Sequence, residues 1–185
     1  MTSAAWEELR EEIINKAVVR GKVILSSGRE ADYYVDLRRV TLDAVAAPLV
    51  GTVMRELTSD WDYVAVGGLT MGADPVAFGV AAVAATRGRD LRSFSVRKEA
   101  KDHGVTGRLA GALQPGDKVV IVEDTTTRGT SLLEAVEVVR AFGAEVVLAS
   151  VIVDRGTTCA DLCAADGVAY TPLLTATDLG FEPGT

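Results

Sequence analysis

The chain has 185 residues, 48% hydrophobic and 24% charged, which fits one globular domain with its own core rather than a disordered segment. A formal net charge of −7 argues against broad binding to nucleic acid or to an anionic membrane, although a local basic site stays open. No apolar run is long enough to span a bilayer, and the acidic start "MTSAAWEELREEIINK" lacks the apolar core of a secretory signal, so the expected location is the cytoplasm.

Residues 5–19 place Trp6, Leu9, Ile13 and Ala17 on one stripe with Glu7, Glu8 and Glu11 away from it, predicting an amphipathic helix ended by Gly21. Residues 23–25 and 33–36 predict two short strands around a Ser-Ser-Gly turn. Residues 42–57 predict a helix with Thr41 as its N-cap. From residue 63 the rhythm changes. "YVAVGG", "LRSFSV", "KVVIVE" and "EVVLASVIVD" read as strands, and "DPVAFGVAAVAATRG", with Pro75 in its first turn, and "SLLEAVEVVRAFG" as helices. "KEAKDHGVTGRLAGALQPGD" reads as a polar, glycine-rich loop. Strands that are apolar throughout and alternate with helices predict an α/β fold, a central parallel sheet covered on both faces. "CADLCAADG" suggests a short helix, and "VAYTPLLTATDL" is ambiguous. The only cysteines, Cys159 and Cys163, have only His103 to join them, too few ligands for a tetrahedral metal site, so they read as reduced thiols.

The most informative stretch is "VVIVEDTTTRGTS", residues 119–131. A buried strand runs straight into two carboxylates, three threonines, an arginine, a glycine and a Thr-Ser pair. In an open parallel sheet, ligands bind beyond the carboxyl ends of the strands. Glu123 and Asp124 therefore emerge where a ligand sits, pointing to opposite faces so that each addresses a different sugar hydroxyl. The following loop supplies hydroxyls and backbone N–H groups at a helix N-terminus, a setting that favours a phosphate, and Gly129 permits close backbone approach. Ser131 and Glu134 also fit a capping box, but that leaves the acids and threonines unexplained. No G-x-G-x-x-G is present. "GGLTMGAD" has the P-loop glycine spacing at 67 and 72, with Ala73 and Asp74 in place of the required Lys and Ser/Thr.

"VVIVEDTTTRGTS" resembles the ribose-phosphate signature of the type I phosphoribosyltransferases, in which paired acids hold the ribose hydroxyls of phosphoribosyl pyrophosphate (PRPP) and the next loop cradles its 5′-phosphate. The basic stretch Arg97, Lys98, Lys101, His103, Gly104 resembles the mobile catalytic loop of the orotate phosphoribosyltransferases within that family. "LSSGREADYYVDLRR" resembles their hood over the base. The resemblance covers residues 20–155 and implies the type I fold as a single domain over 1–185. Its small N-terminal hood comes mainly from residues 1–40, and a mobile loop spans about 98–113. It implies PRPP contacts from Arg97, Lys98, Lys101, His103, Glu123, Asp124, Thr125, Thr126, Thr127, Arg128, Gly129, Thr130 and Ser131. Orotate contacts would come from Tyr34, Val35, Thr127 and Arg155, whose planar guanidinium suits a carboxylate.

The implied reaction transfers the phosphoribosyl group from PRPP to orotate, giving orotidine 5′-monophosphate and pyrophosphate in pyrimidine (UMP) biosynthesis. Asp124 lies beside the developing ribose charge, and Lys101 or His103 protonates the leaving group. Magnesium is implied, held through substrate and water with no direct protein ligand. A homodimer sharing the mobile loop is implied too. Ser26, Met71, Gly72 and Arg128 depart from residues common in the family. The alternatives are a phosphoribosyltransferase for a purine or other base, which has no carboxylate for Arg155, and a PRPP-sensing regulator, for which no DNA-binding extension is visible.

Overall fold

The computed structural model describes residues 3–24, 30–101 and 107–184. Helix α1, Ala4–Glu12, starts where the Ser3 hydroxyl accepts the Trp6 N–H at 3.2 Å. One π-helical turn, Ile13–Ala17, follows, and the chain then becomes extended as β1, Val18–Ile24. The helix is thus shorter than its apolar stripe predicts. Val18 and Val19, both β-branched, pair instead with Val35 and Tyr34 of β2, Glu30–Val35. Gly21 lies inside β1 rather than at a helix end. Its φ of +123° falls where the β1–β2 register shifts, a bulge that glycine tolerates. The predicted Ser-Ser-Gly turn lies outside the described residues.

The second predicted helix is split. Arg38–Thr41 forms the short α2, and α3 runs Ala46–Leu57. Thr41 closes α2 rather than capping α3. The capping carboxylate belongs to Asp43, which accepts the Val45 and Ala46 N–H groups at 2.9 Å each. Asp43 also meets Lys16 at 3.0 Å, which with those amides holds its carboxyl below the usual range.

The remaining chain alternates as expected through β3 (Ala65–Leu69), α4 (Ala73–Thr86), β4 (Arg92–Lys101), β5 (Gly107–Gly111), β6 (Lys118–Thr126), α5 (Thr130–Phe142), β7 (Glu145–Asp154), α6 (Cys159–Ala165) and β8 (Leu174–Thr175). One region differs. The polar segment read as a loop is largely strand: β4 extends to Lys101 and pairs antiparallel with β5. Backbone pairing outweighs polar composition there because an edge ribbon can leave its side chains in water.

The six-stranded sheet has the order β5-β4-β3-β6-β7-β8, parallel except for the β4–β5 pair. Its strands are covered on both faces. Val120 and Val122 of β6 pack with α3 and α4, and Val119 and Ile121 pack with α5. After β3 the chain goes to β4 on one side, and after β6 it goes to β7 on the other. The loops leaving β3 and β6 therefore part, opening a crevice at their carboxyl ends. The β1–β2 pair forms a separate two-stranded sheet, the predicted small N-terminal element.

Candidate active site

A cleft of about 290 Å³ lies at that switch point. Its walls are Leu69, Thr70, Met71 and Gly72 after β3, Glu123, Asp124 and Thr125 at the end of β6, Ser131 in the first turn of α5, Lys98 on β4, and Tyr34, Val35, Asp36 and Arg38 around the end of β2. Three sequence motifs remote from one another thus face a common space.

The acid pair is not splayed as strand alternation predicts. An ideal Cβ on Gly72 would sit 2.5 Å from Asp124 Oδ1 and 2.6 Å from Glu123 Oε1, so both carboxyl groups converge beside Gly72. Local bonds turn them there: the Asp124 N–H donates to Glu123 Oε1 at 3.2 Å and the Thr125 N–H to Asp124 Oδ1 at 2.7 Å. Any larger residue at 72 would occupy the space the acids use. Glu123 is only 6% exposed. Burial, then the charge of Asp124, pushes its carboxyl up to about 9, with Lys98 pulling weakly the other way. The site thus favours the protonated form of Glu123, which can donate as well as accept a hydrogen bond.

The loop after β6 is fixed from below. Thr126 Oγ1 accepts the Gly129 N–H at 2.8 Å, and the Thr126 carbonyl accepts the Arg155 N–H at 2.8 Å. Gly129 takes φ +83°, and a Cβ there would meet Cys159 Sγ at 2.8 Å. A Cβ on Gly156 would come within 1.8 Å of the Thr127 carbonyl oxygen. Asp154 holds this junction, accepting the Gly156 N–H at 2.9 Å and the Tyr170 hydroxyl at 2.8 Å. The expected capping box is absent. Gly129 is the N-cap of α5, and Glu134 pairs with Arg108 instead. That leaves Ser131 exposed on the cleft. Burial raises both cysteine thiols, Cys163 to about 12, so they are packing groups rather than nucleophiles.

Among the predicted residues, Tyr34, Val35, Lys98, Glu123, Asp124, Thr125 and Ser131 line the cleft. Thr126, Thr127, Arg128, Gly129 and Thr130 form the loop and helix start beside it. Arg97 extends along the β4–β5 ribbon and donates to the Gly107 carbonyl at 3.1 Å. Arg155 is buried with its guanidinium over the Tyr33 ring. The Lys101 side chain and His103 lie outside the described residues. Asp36, Arg38, Thr70 and Met71 line the cleft with no role foreseen for their side chains. Arg38 is anchored through Nε to Asp36 Oδ1 at 2.7 Å. Among the described residues no group of three or more His, Cys, Asp or Glu is placed to hold a metal ion.

The family model described as Phosphoribosyl transferase domain matches residues 43–162. A protein of Corynebacterium glutamicum named orotate phosphoribosyltransferase is 52% identical over 182 residues, covering 98% of this chain and 97% of its own length. The chain is also similar to crystal structures of Mycobacterium tuberculosis orotate phosphoribosyltransferase. The complex with Fe(III) dicitrate has a TM-score of 0.87 at 49% identity, and the complex with PRPP 0.82 at 46%. Each match covers 96% of this chain and 99% of the other.

Proposed function

The chain belongs to the phosphoribosyltransferase family, and we infer from that premise that it is an orotate phosphoribosyltransferase. It transfers the phosphoribosyl group of PRPP to orotate, releasing pyrophosphate and orotidine 5′-monophosphate. The observation that carries this reading is the convergence of Glu123 and Asp124 beside Gly72 in a cleft shared with Tyr34 and Val35. Such a pair grips two neighbouring ribose hydroxyls, with a flat wall for a base on one side and loop amides for a phosphate on the other.

In this reading the bond from the anomeric carbon to pyrophosphate breaks as the bond to the orotate ring nitrogen forms. Positive charge grows on the ribose next to Asp124, while negative charge grows on the departing pyrophosphate. Lys98 lines the cleft and is assigned to the pyrophosphate, joined by Arg97, Lys101 and His103, with Lys101 or His103 as proton donor. Thr125 to Ser131 hold the 5′-phosphate. Tyr34 and Val35 cover the pyrimidine, Thr127 reaches its edge, and Arg155 pairs with its carboxylate. Glu123 and Asp124 give the cleft the hard oxygen donors that suit magnesium, which would be held through substrate and water. When bound, magnesium neutralises charge on the leaving group.

A homodimer completes the proposal. Leu42 and Val45, between α2 and α3, and Phe78 on α4 are 65–69% exposed, large apolar side chains of the kind a second copy would cover. Two unpaired cysteines agree with a cytoplasmic location.

The test is to mix purified protein with orotate, PRPP and magnesium and follow loss of orotate absorbance, with adenine, hypoxanthine, xanthine and uracil in parallel. Turnover with orotate is expected. Turnover with another base and none with orotate would reject the substrate assignment.

A further inference from the structure

Four side chains from remote parts of the chain form one column. The Tyr33 and Phe181 rings stack with centroids 3.8 Å apart and planes 6° from parallel. The Arg155 guanidinium carbon lies 4.7 Å from the Tyr33 centroid, and that of Arg20 lies 4.9 Å from the Phe181 centroid. With each ring already covered on one face by the other, the two cations take the outer faces. The order is Arg155, Tyr33, Phe181, Arg20. Aromatic faces carry negative charge and attract both guanidinium groups.

The C-terminal segment is tied by backbone bonds to Asp154 and Arg155 at the end of β7. The Ala176 N–H donates to the Asp154 carbonyl at 2.9 Å, the Phe181 N–H to the Ala176 carbonyl at 3.0 Å, and the Gly184 N–H to the Arg155 carbonyl at 2.7 Å. Buried Tyr33 makes no hydroxyl hydrogen bond among the described residues, so the ring face is what it contributes. The next residue, Tyr34, lines the cleft. A long arginine has many rotamers, and a site that must present one of them needs support from its surroundings.

We propose that Phe181 is a positioning residue for base recognition: by closing the column it sets the Arg155 guanidinium against the hood strand that carries Tyr34. The inference rests on the reading that Arg155 pairs with the orotate carboxylate. Phe181 touches no substrate itself. Its loss lets Arg155 sample other rotamers, which weakens orotate binding without disturbing the acid pair or the phosphate loop.

Steady-state kinetics with orotate and PRPP varied separately test this, using Phe181→Ala, Phe181→Tyr, Arg155→Ala and the double variant Phe181→Ala/Arg155→Ala. Phe181→Ala should raise KM for orotate about tenfold and change KM for PRPP by less than about twofold. Phe181→Tyr should restore orotate KM. In the Arg155→Ala background, Phe181→Ala should add less than about twofold, because its effect runs through Arg155. A full additional loss in that background, or equal rises in both KM values, would make Phe181 merely structural and overturn the proposal. A normal orotate KM in Phe181→Ala beside a raised one in Arg155→Ala would defeat the proposal and leave the Arg155 reading standing. A normal orotate KM in Arg155→Ala would defeat both. A PRPP-induced rise in Tm checks that each variant folds. If Phe181→Ala does not fold, Phe181→Leu replaces it, and wild-type orotate KM in that variant overturns the proposal.

Discussion

On the ribose-phosphate side of the cleft, one uninterrupted stretch runs from a buried central strand through two carboxyl groups into the first turn of α5. On the base side, Tyr33, Arg155 and Phe181 come from three remote segments and are related through stacked rings rather than through a shared strand. The first region takes its rigidity from the sheet ladder, since Glu123 and Thr125 pair with Val151 and Val153 of β7. The second depends on side-chain packing at the edge of a small two-stranded sheet. Substitutions on the first side should therefore act directly on chemistry, and those on the second on base affinity.

Asp124→Ala should break this contrast most severely, lowering kcat/KM for PRPP on the order of 100-fold with the fold intact. A variant with near-normal kcat/KM would remove the acid pair from the reaction. Gly156→Ala probes the joint between the two regions, where the new Cβ meets the Thr127 carbonyl. Destabilisation of about 1–3 kcal/mol is expected in denaturant titration, with both substrate KM values raised. A rise in only one KM would show that the regions are mechanically independent.

Glu123→Gln sharpens the electrostatic side. The Glu123 carboxyl is pushed up in the folded chain, so the folded state keeps a proton that the unfolded state gives up. That contribution is fully present below the ordinary carboxylate pKa and is lost as pH rises through about 9. Without ligand, the wild type should lose stability between pH 6 and pH 9 relative to Glu123→Gln, and parallel curves would exclude a protonated Glu123. The smallest effect is expected for Tyr33→Phe. Removing a buried hydroxyl without a hydrogen bond among the described residues, while keeping the ring, should leave Tm and orotate KM near wild type or shift stability up by at most about 1 kcal/mol. A large loss would mean that the hydroxyl, not the ring face, matters.

The alternation of strands and helices after residue 63 was legible because each element satisfies its own hydrophobic period. The early boundaries were not. Val18 and Val19 continue an acceptable helical stripe and become strand only because β2 is there to pair with them. The β4–β5 ribbon escaped because polar side chains on an edge strand carry no period-2 signal. In the site, the paired acids were readable as ligands from composition and strand position. Their convergence was not: local amide bonds turn both carboxyl groups away from strand alternation, into space left open by Gly72 in the segment after β3.

What the sequence determined by itself was everything encoded within a few residues: the buried strands, the acid pair at a strand end, the glycine that turns the loop into α5. The tertiary structure alone decided which of these share a cleft, that burial beside Asp124 raises the Glu123 carboxyl, and that Phe181 and Arg155 act on the same ring. Those properties arise from burial and from contacts between remote segments, and no local pattern records which segments will meet.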